Sequence, residues 1–148
     1  MGRLLRVNRF EGEFEFLSNF SPHKVVVFDR IWPTAEHAFQ GMKTVDRVER
    51  ARICRAPTPG KAKRMGGDVE LRPDWEQIKL EIMRSVLRAK FMQDAGLMRS
   101  LLDTGGAELV EGNHWNDTFW GVCRGRGSNH LGKLLMELRA EVKERVGA

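Results

Sequence analysis

The chain has 148 residues, with 25 Lys and Arg against 20 Asp and Glu, for a formal net charge of +5. That length suits one domain around one core. A hydrophobic content of 41% with 30% charged residues excludes a disordered chain, and no apolar run approaches the ~18 residues of a membrane-spanning helix.

In chain order, residues 4–10 and 14–16 are short apolar-rich pieces that read as strands. Lys24–Phe28 is β-branched and apolar and predicts the clearest strand. Asp29-Arg30 predicts a tight turn, with Ile31-Trp32 returning. Thr34 follows Pro33 as a helix N-cap, and residues 35–43 read as a helix. Residues 46–55 look helical and basic. Thr58-Pro59 is a cap followed by proline at the first helical position, which predicts a helix over 59–66. Pro73–Asp94 carries Trp75, Ile78, Ile82, Val86, Leu87 and Phe91 at helical period and predicts the longest helix. A helix over 95–104 ends at Gly105-Gly106. Glu108–Glu111 predicts a short strand, 112–128 a loop, and 129–146 a last helix with Leu131, Leu134, Leu135, Leu138 and Val142 on one face. The expected fold is α+β, mainly helical, a single domain over 1–148 with a small antiparallel sheet.

The remaining composition narrows the chemistry. Cys54 and Cys123 are too few for a disulfide framework. Met1-Gly2-Arg3-Leu4-Leu5-Arg6 lacks the apolar stretch of a signal peptide, so a cytoplasmic protein without a membrane partner is expected. His23, His37, His114 and His130 are scattered without Cys or His partners at ligand spacing, so neither a metal site nor a cofactor is expected. There is no tyrosine, while there are four tryptophans and eight phenylalanines, so any aromatic stacking falls to Trp or Phe. The net charge fits an anionic small molecule; oligomeric state is not legible.

Three stretches could carry chemistry. In Trp32-Pro33-Thr34-Ala35-Glu36-His37-Ala38-Phe39-Gln40, a helix from Thr34 would place Glu36, Phe39 or Gln40, and Lys43 on one stripe. A carboxylate and an amine two turns apart can serve one cleft, the first for protons and the second, if desolvated, as a nucleophile. Equally, Glu in a first helical turn favours the macrodipole. In the run from Asn116 to Asn129, Gly125 and Gly127 flank Arg126 ahead of Ser128-Asn129. That pattern reads as an anion cradle at a helix start, with Arg124 and Arg126 as forked donors. Trp120 before Gly121 offers a ring face for stacking; the alternative is a glycine-rich turn with a core tryptophan. In Leu17-Ser18-Asn19-Phe20, Asn19 could read a ring edge or make an Asx turn. The basic run Lys61-Ala62-Lys63-Arg64 fits a phosphate or a solvated face.

Taken together and in order, these stretches resemble the YbiA-like proteins of the NADAR family. The match also runs through Ala62-Lys63-Arg64-Met65-Gly66, Trp75, Met83-Arg84, Leu87-Arg88-Ala89-Lys90-Phe91 and Gly125 to Arg139, spanning about residues 14–142. The resemblance implies an N-glycosidase that hydrolyses the C1′–N bond of ribosylamino-pyrimidine phosphates, early intermediates of riboflavin synthesis. Other branches of the family remove ADP-ribose from guanine in nucleosides or DNA, and the family name suggests a third possibility, a non-catalytic NAD or ADP-ribose module. It implies Glu36, Lys43 and Asp117 as catalytic, with Lys43 either attacking C1′ or anchoring phosphate. It implies Trp120 stacking on the base, and Asn19 on the base edge or ribose. Arg64, Gly125, Gly127 and Asn129 would hold phosphate, and Phe20, Trp32, Phe39, Gln40 and Gly121 would line the site. Val122-Cys123-Arg124 departs from the acidic, glycine-rich version typical of the YbiA-like proteins and favours a second phosphate.

Overall fold

The computed structural model describes residues 3–147. Met1 and Gly2 at the start and Ala148 at the end, all within the expected 1–148 domain, lie outside the described residues. The order is β1 (Arg6–Val7), a 3-10 helix (Gly12–Leu17), β2 (Val25–Val27), β3 (Arg30–Trp32), α1 (Ala35–Gly41), α2 (Arg47–Cys54), α3 (Pro59–Asp68), α4 (Trp75–Met92), α5 (Ala95–Asp103), β4 (Glu108–Leu109), β5 (Gly112–Asn113), β6 (Val122–Cys123) and α6 (His130–Gly147). Helices dominate, and the fold is α+β. Asn19–Lys90 form one compact unit; the residues up to Ser18 and from Phe91 onward form another.

In the first unit, β2 and β3 form the expected antiparallel hairpin, with Val25 opposite Trp32, Val26 opposite Ile31 and Val27 opposite Arg30. Period-2 alternation sends Val25 and Trp32 into the core and leaves Val26 and Ile31 exposed. This register fixes a two-residue turn at Phe28-Asp29, both at positive φ, as the twist-matched hairpin turn requires. The turn therefore lies one residue earlier than the sequence suggested: burying Trp32 opposite Val25 outweighs the strain of a left-handed Phe28.

Three caps start the helices of this unit. Thr34 Oγ1 accepts from the His37 N–H in α1, Asp46 from Val48 and Glu49 in α2, and Thr58 from Lys61 in α3, where Pro59 sits at the first turn. Val25, Trp32, Ala35, Ala38 and Val86 form one core, and Ile53, Ala56 and Ala62 another.

The second unit holds two parallel two-residue ladders, β1 with β4 and β5 with β6. The strands expected over 4–10 and Glu108–Glu111 contain β1 and β4, whereas β5 and β6 fall in the expected 112–128 loop, because two residues carry no periodicity. The sequence also reads 14–16 as a strand, whereas Phe14, Glu15 and Phe16 lie in the 3-10 helix, with Phe16 edge-on to Phe91 at 6.4 Å. The expected strand at Glu108–Glu111 stops at Leu109, because Gly112 N–H turns back onto Val110 O at 3.0 Å. Helix α6 buries Leu131, Leu134, Leu135, Leu138 and Val142, the predicted stripe. Among the described residues no helix is long and apolar enough to cross a membrane.

Candidate active-site elements

Helix α1 starts where Thr34 caps it, and every residue from Ala35 to Gly41 is buried. Glu36 is therefore a carboxyl in a covered helix, 7% exposed. Its backbone N–H donates to Asn19 O at 3.0 Å, and its Oε2 accepts from Gln40 Nε2 at 2.6 Å. One turn further, Lys43 N–H bonds Gln40 O, and Lys43 O accepts from Arg72 N–H at 2.8 Å. Arg50 Nε caps Thr44 O at 2.7 Å and Arg72 Nη1 reaches Met42 O at 3.4 Å, two cations on the carbonyls that end α1.

Lys43 is half-buried, with its Nζ 5.8 Å from the centroid of Phe39, whose ring lies 5.1 Å from Trp75. Burial lowers the Lys43 ammonium below the usual lysine range. The Glu36 carboxylate pulls the other way, and Lys63 and Lys79 add to the lowering. A lysine so placed yields its proton more readily than a solvated one, which favours the neutral amine that nucleophilic attack needs.

The neighbouring residues divide by exposure. Asn19 is buried, its Nδ2 3.4 Å from Met83 Sδ and its Oδ1 without a hydrogen-bond partner. Phe20 is exposed between buried Asn19 and Ser21. Arg64 is exposed on α3. Trp32 and Phe39, expected as lining residues, are both buried. The Trp32 indole N–H is satisfied by Val27 O at 3.0 Å, and a Cβ on Gly41 would overlap the Trp32 ring.

In the other unit, the run from Glu111 to Leu131 is held by its own hydrogen bonds. Asp117 Oδ1 accepts from the Phe119 and Trp120 N–H groups at 3.1 and 2.9 Å, an Asx turn that sets the Trp120 backbone. Trp120 is half-buried, 4.8 Å from Phe119 and 6.4 Å from His130 between ring centroids. Gly121 is required by packing: a Cβ there would overlap Glu111 O and lie 2.8 Å from Asn113 Nδ2. Cys123 and Arg126 exchange backbone hydrogen bonds around Arg124 and Gly125, both at positive φ, so the arginines sit exposed on a tight turn. Gly127 has φ +146, and a Cβ there would overlap Gly121 O.

The predicted anion cradle at the start of α6 is filled by the chain itself. The N–H groups of Ser128, Asn129, His130 and Leu131 donate to the carbonyls of Thr118, Gly121, Phe119 and Trp120. Asn129 is committed as well: Oδ1 accepts from Glu111 N–H at 3.0 Å and Nδ2 donates to Leu109 O at 2.9 Å. A phosphate would have to displace one of these bonds, since Asn129 anchors the loop in this structure. Arg124, Arg126 and the open tip at Gly125 remain available to an anion.

Two residues escaped the sequence reading. Asn113 is buried and ties the loop through Nδ2 to Asp117 O and Oδ1 to the Trp115 and Asp117 N–H groups. Lys90, 1% exposed, donates to Ser21 Oγ at 2.8 Å, which in turn meets His23 Nδ1 at 2.9 Å. Its signal was present: Lys90 falls on the same α4 stripe as Met83, Val86 and Leu87. Among the described residues no group of three His, Cys, Asp or Glu could hold a metal ion.

Comparison with known proteins places this arrangement. The NADAR domain model matches residues 7–143. N-glycosidase YbiA of Escherichia coli is 46% identical over 128 residues, covering 84% of this chain and 79% of that protein. A riboflavin biosynthesis protein of Vibrio vulnificus is 39% identical over 132 residues, 87% of this chain and 36% of that protein. The NMR structure of E. coli YbiA superposes with a TM-score of 0.86 at 40% identity, covering 99% of this chain and 89% of that one. With the family model covering nearly all of its length and the helical fold in agreement, the chain belongs to the NADAR domain family.

Proposed function

We propose that the chain is an N-glycosidase that hydrolyses the C1′–N bond of ribosylamino-pyrimidine phosphates, with Glu36 and Lys43 as its reacting side chains. One observation carries the reading: the Glu36 carboxylate is buried on α1, and Lys43, whose proton burial loosens, stands two residues beyond the end of that helix. The names of the relatives supply the bond type and the riboflavin context.

Breaking a C1′–N bond builds positive charge on C1′ and O4′. A desolvated carboxylate opposes that charge far more strongly than a solvated one. The base leaves with the bonding pair and takes up a proton. Neutral Lys43 attacks C1′, the ribose ring opens at O4′, and an imine forms. Water then adds, releasing the aldose phosphate and restoring the amine, so the net reaction is hydrolysis. In the competing role Lys43 stays protonated and holds the phosphate. By the family resemblance we assign stacking on the base to Trp120, contact with the base edge or ribose to Asp117 and to Asn19, and phosphate binding to Arg64 and to the Gly125 turn.

The decisive experiment offers the protein a ribosylamino-pyrimidine phosphate and, separately, ADP-ribosylated guanosine, with released base followed by mass spectrometry. Release from the first is expected. Release from the second alone would replace this substrate with ADP-ribosyl guanine, a reading that the two exposed arginines on one turn favour. ADP-ribose binding without turnover of either would leave only a binding module. Borohydride added during turnover should trap a sugar on Lys43; no adduct, with an active Lys43→Ala variant, would reject the imine.

A further inference from the structure

We propose that Gln40 is a positioning residue that aims the Glu36 carboxylate, and that Gly66 of α3 is the position that lets it do so. This rests on the reading that Glu36 acts at the glycosidic bond, and it replaces the expected substrate contact of Gln40.

Gln40 lies one helical turn after Glu36, and its Nε2 donates to Glu36 Oε2 at 2.6 Å. The two side chains are 3% and 7% exposed, so little water competes for that bond. The other end of the amide is unusual. Gln40 Oε1 is fully buried and has no hydrogen-bond partner, a condition native structures seldom keep without a reason. The reason lies at the opposite end. Turning the amide over would aim a carbonyl oxygen at a carboxylate and remove the donor that Glu36 uses. The orphaned oxygen follows from serving the carboxylate.

That oxygen is lodged against Gly66. A Cβ built on Gly66 would overlap Gln40 Oε1 and lie 2.8 Å from its Cδ and 3.0 Å from its Cβ. Gly66 sits inside α3 with ordinary helical backbone, where alanine is intrinsically better. Its neighbour Gly67 meets nothing within 4 Å. The absence of a side chain at 66 thus serves Gln40 and not the helix. Ala62, one turn earlier, is fully buried, so small residues line this part of α3. The Glu36 backbone is pinned separately through Asn19 O, which leaves Gln40 to hold the far end of the side chain.

The test measures kcat and KM for base release alongside the side-chain amide NMR signals of Gln40. Gly66→Ala should force Gln40 away and lower kcat about 10²-fold with KM nearly unchanged, the scale expected for a small misplacement of a reacting group. Gln40→Met, which fills the space without donating, should do the same. Gly66→Ala added to Gln40→Ala should cost nothing further, and Gly67→Ala should behave as wild type. Wild-type kcat in Gln40→Met, or a multiplied loss in the double variant, would overturn the proposal. Full turnover in Glu36→Gln would defeat the catalytic reading instead. The amide signals then still decide the geometry: they should move in both Glu36→Gln and Gly66→Ala, and signals unmoved by Gly66→Ala would overturn the Gln40–Gly66 contact.

Discussion

Helix α1 and the run from Glu111 to Leu131 both looked like functional sequence, and they differ in what their polar groups are bonded to. In the loop, the Asp117 Oδ1, both ends of Asn113, the Asn129 Oδ1 and the first N–H groups of α6 bind the loop's own backbone, and the Asn129 Nδ2 binds Leu109 O of the adjoining β4. At α1 the backbone of Glu36 and, just past the helix end, that of Lys43 are hydrogen-bonded, while Gln40 donates to the Glu36 carboxylate and burial unsettles the Lys43 ammonium. The contrast teaches that residue type marks polarity, while hydrogen-bond accounting separates a scaffold from a reactive pair. The loop presents Trp120 and its arginines on a hydrogen-bonded frame; α1 carries the carboxylate of the proposed reaction.

The largest effect expected from this division is at Glu36. Glu36→Gln keeps the size and still pairs with Gln40 after an amide turn, so the urea midpoint should hardly move. Turnover should fall about 10²–10⁴-fold, the range of a lost acid–base group. A variant that unfolds but retains specific activity would put Glu36 on the scaffold side of the comparison.

Trp32→Ala probes the packing beneath α1. The ring is 1% exposed and fills the space left by Gly41. Removing it should cost about 3–5 kcal/mol by urea denaturation. A stability loss below 1 kcal/mol, with raised KM, would restore the ligand contact that the sequence suggested.

Asn129→Ala tests the loop half. It strips a donor from buried Leu109 O and an acceptor from the half-buried Glu111 N–H, and should cost about 1–3 kcal/mol. The accompanying change in kcat should be small. Unchanged stability with lost affinity for the phosphorylated substrate would instead make Asn129 the phosphate ligand that the helix-start pattern implied.

Legibility followed the range of the interactions. The caps at Thr34 and Thr58, the hairpin and the α6 stripe rest on residues within a few positions of one another, and all could be read directly. The Gln40–Glu36 bond was equally local, at four residues on a helix, but the family resemblance assigned Gln40 to the lining of the substrate site. The filled α6 start was beyond reach: carbonyls eight to eleven residues upstream occupy the N–H groups, and nothing in Gly-Arg-Gly-Ser-Asn encodes that closure. The β5–β6 ladder was invisible for the same reason, since its partner strands sit across the Asx turn.

The smallest effect ties stability to the same helix through pH. His37 Nε2 donates to Ala56 O at 3.0 Å, a carbonyl that can only accept, so that nitrogen carries the proton. Nδ1 lies 2.8 Å from Thr34 Oγ1, the oxygen that also caps α1, and takes the hydroxyl proton. Burial of the ring lowers its pKa below the ordinary 6.5, and the Ala56 carbonyl opposes this more weakly. In the unfolded chain the ring titrates near 6.5, so between that value and the lower folded one the unfolded state binds the extra proton. Stability therefore falls as pH drops through about 6.5, continues falling to the folded pKa, and levels off below it. Carboxylates held by pairing act only at lower pH, which separates the two effects. Urea midpoints between pH 5 and 8 should slope upward with pH in the wild type and lose that slope in His37→Gln, which is less stable but does not titrate there. An identical slope in the variant would show that the ring charges without cost. Because Glu36 precedes His37 directly, the same protonation loosens the cap that seats the carboxylate, so activity should decline over this window even if no histidine transfers a proton to substrate.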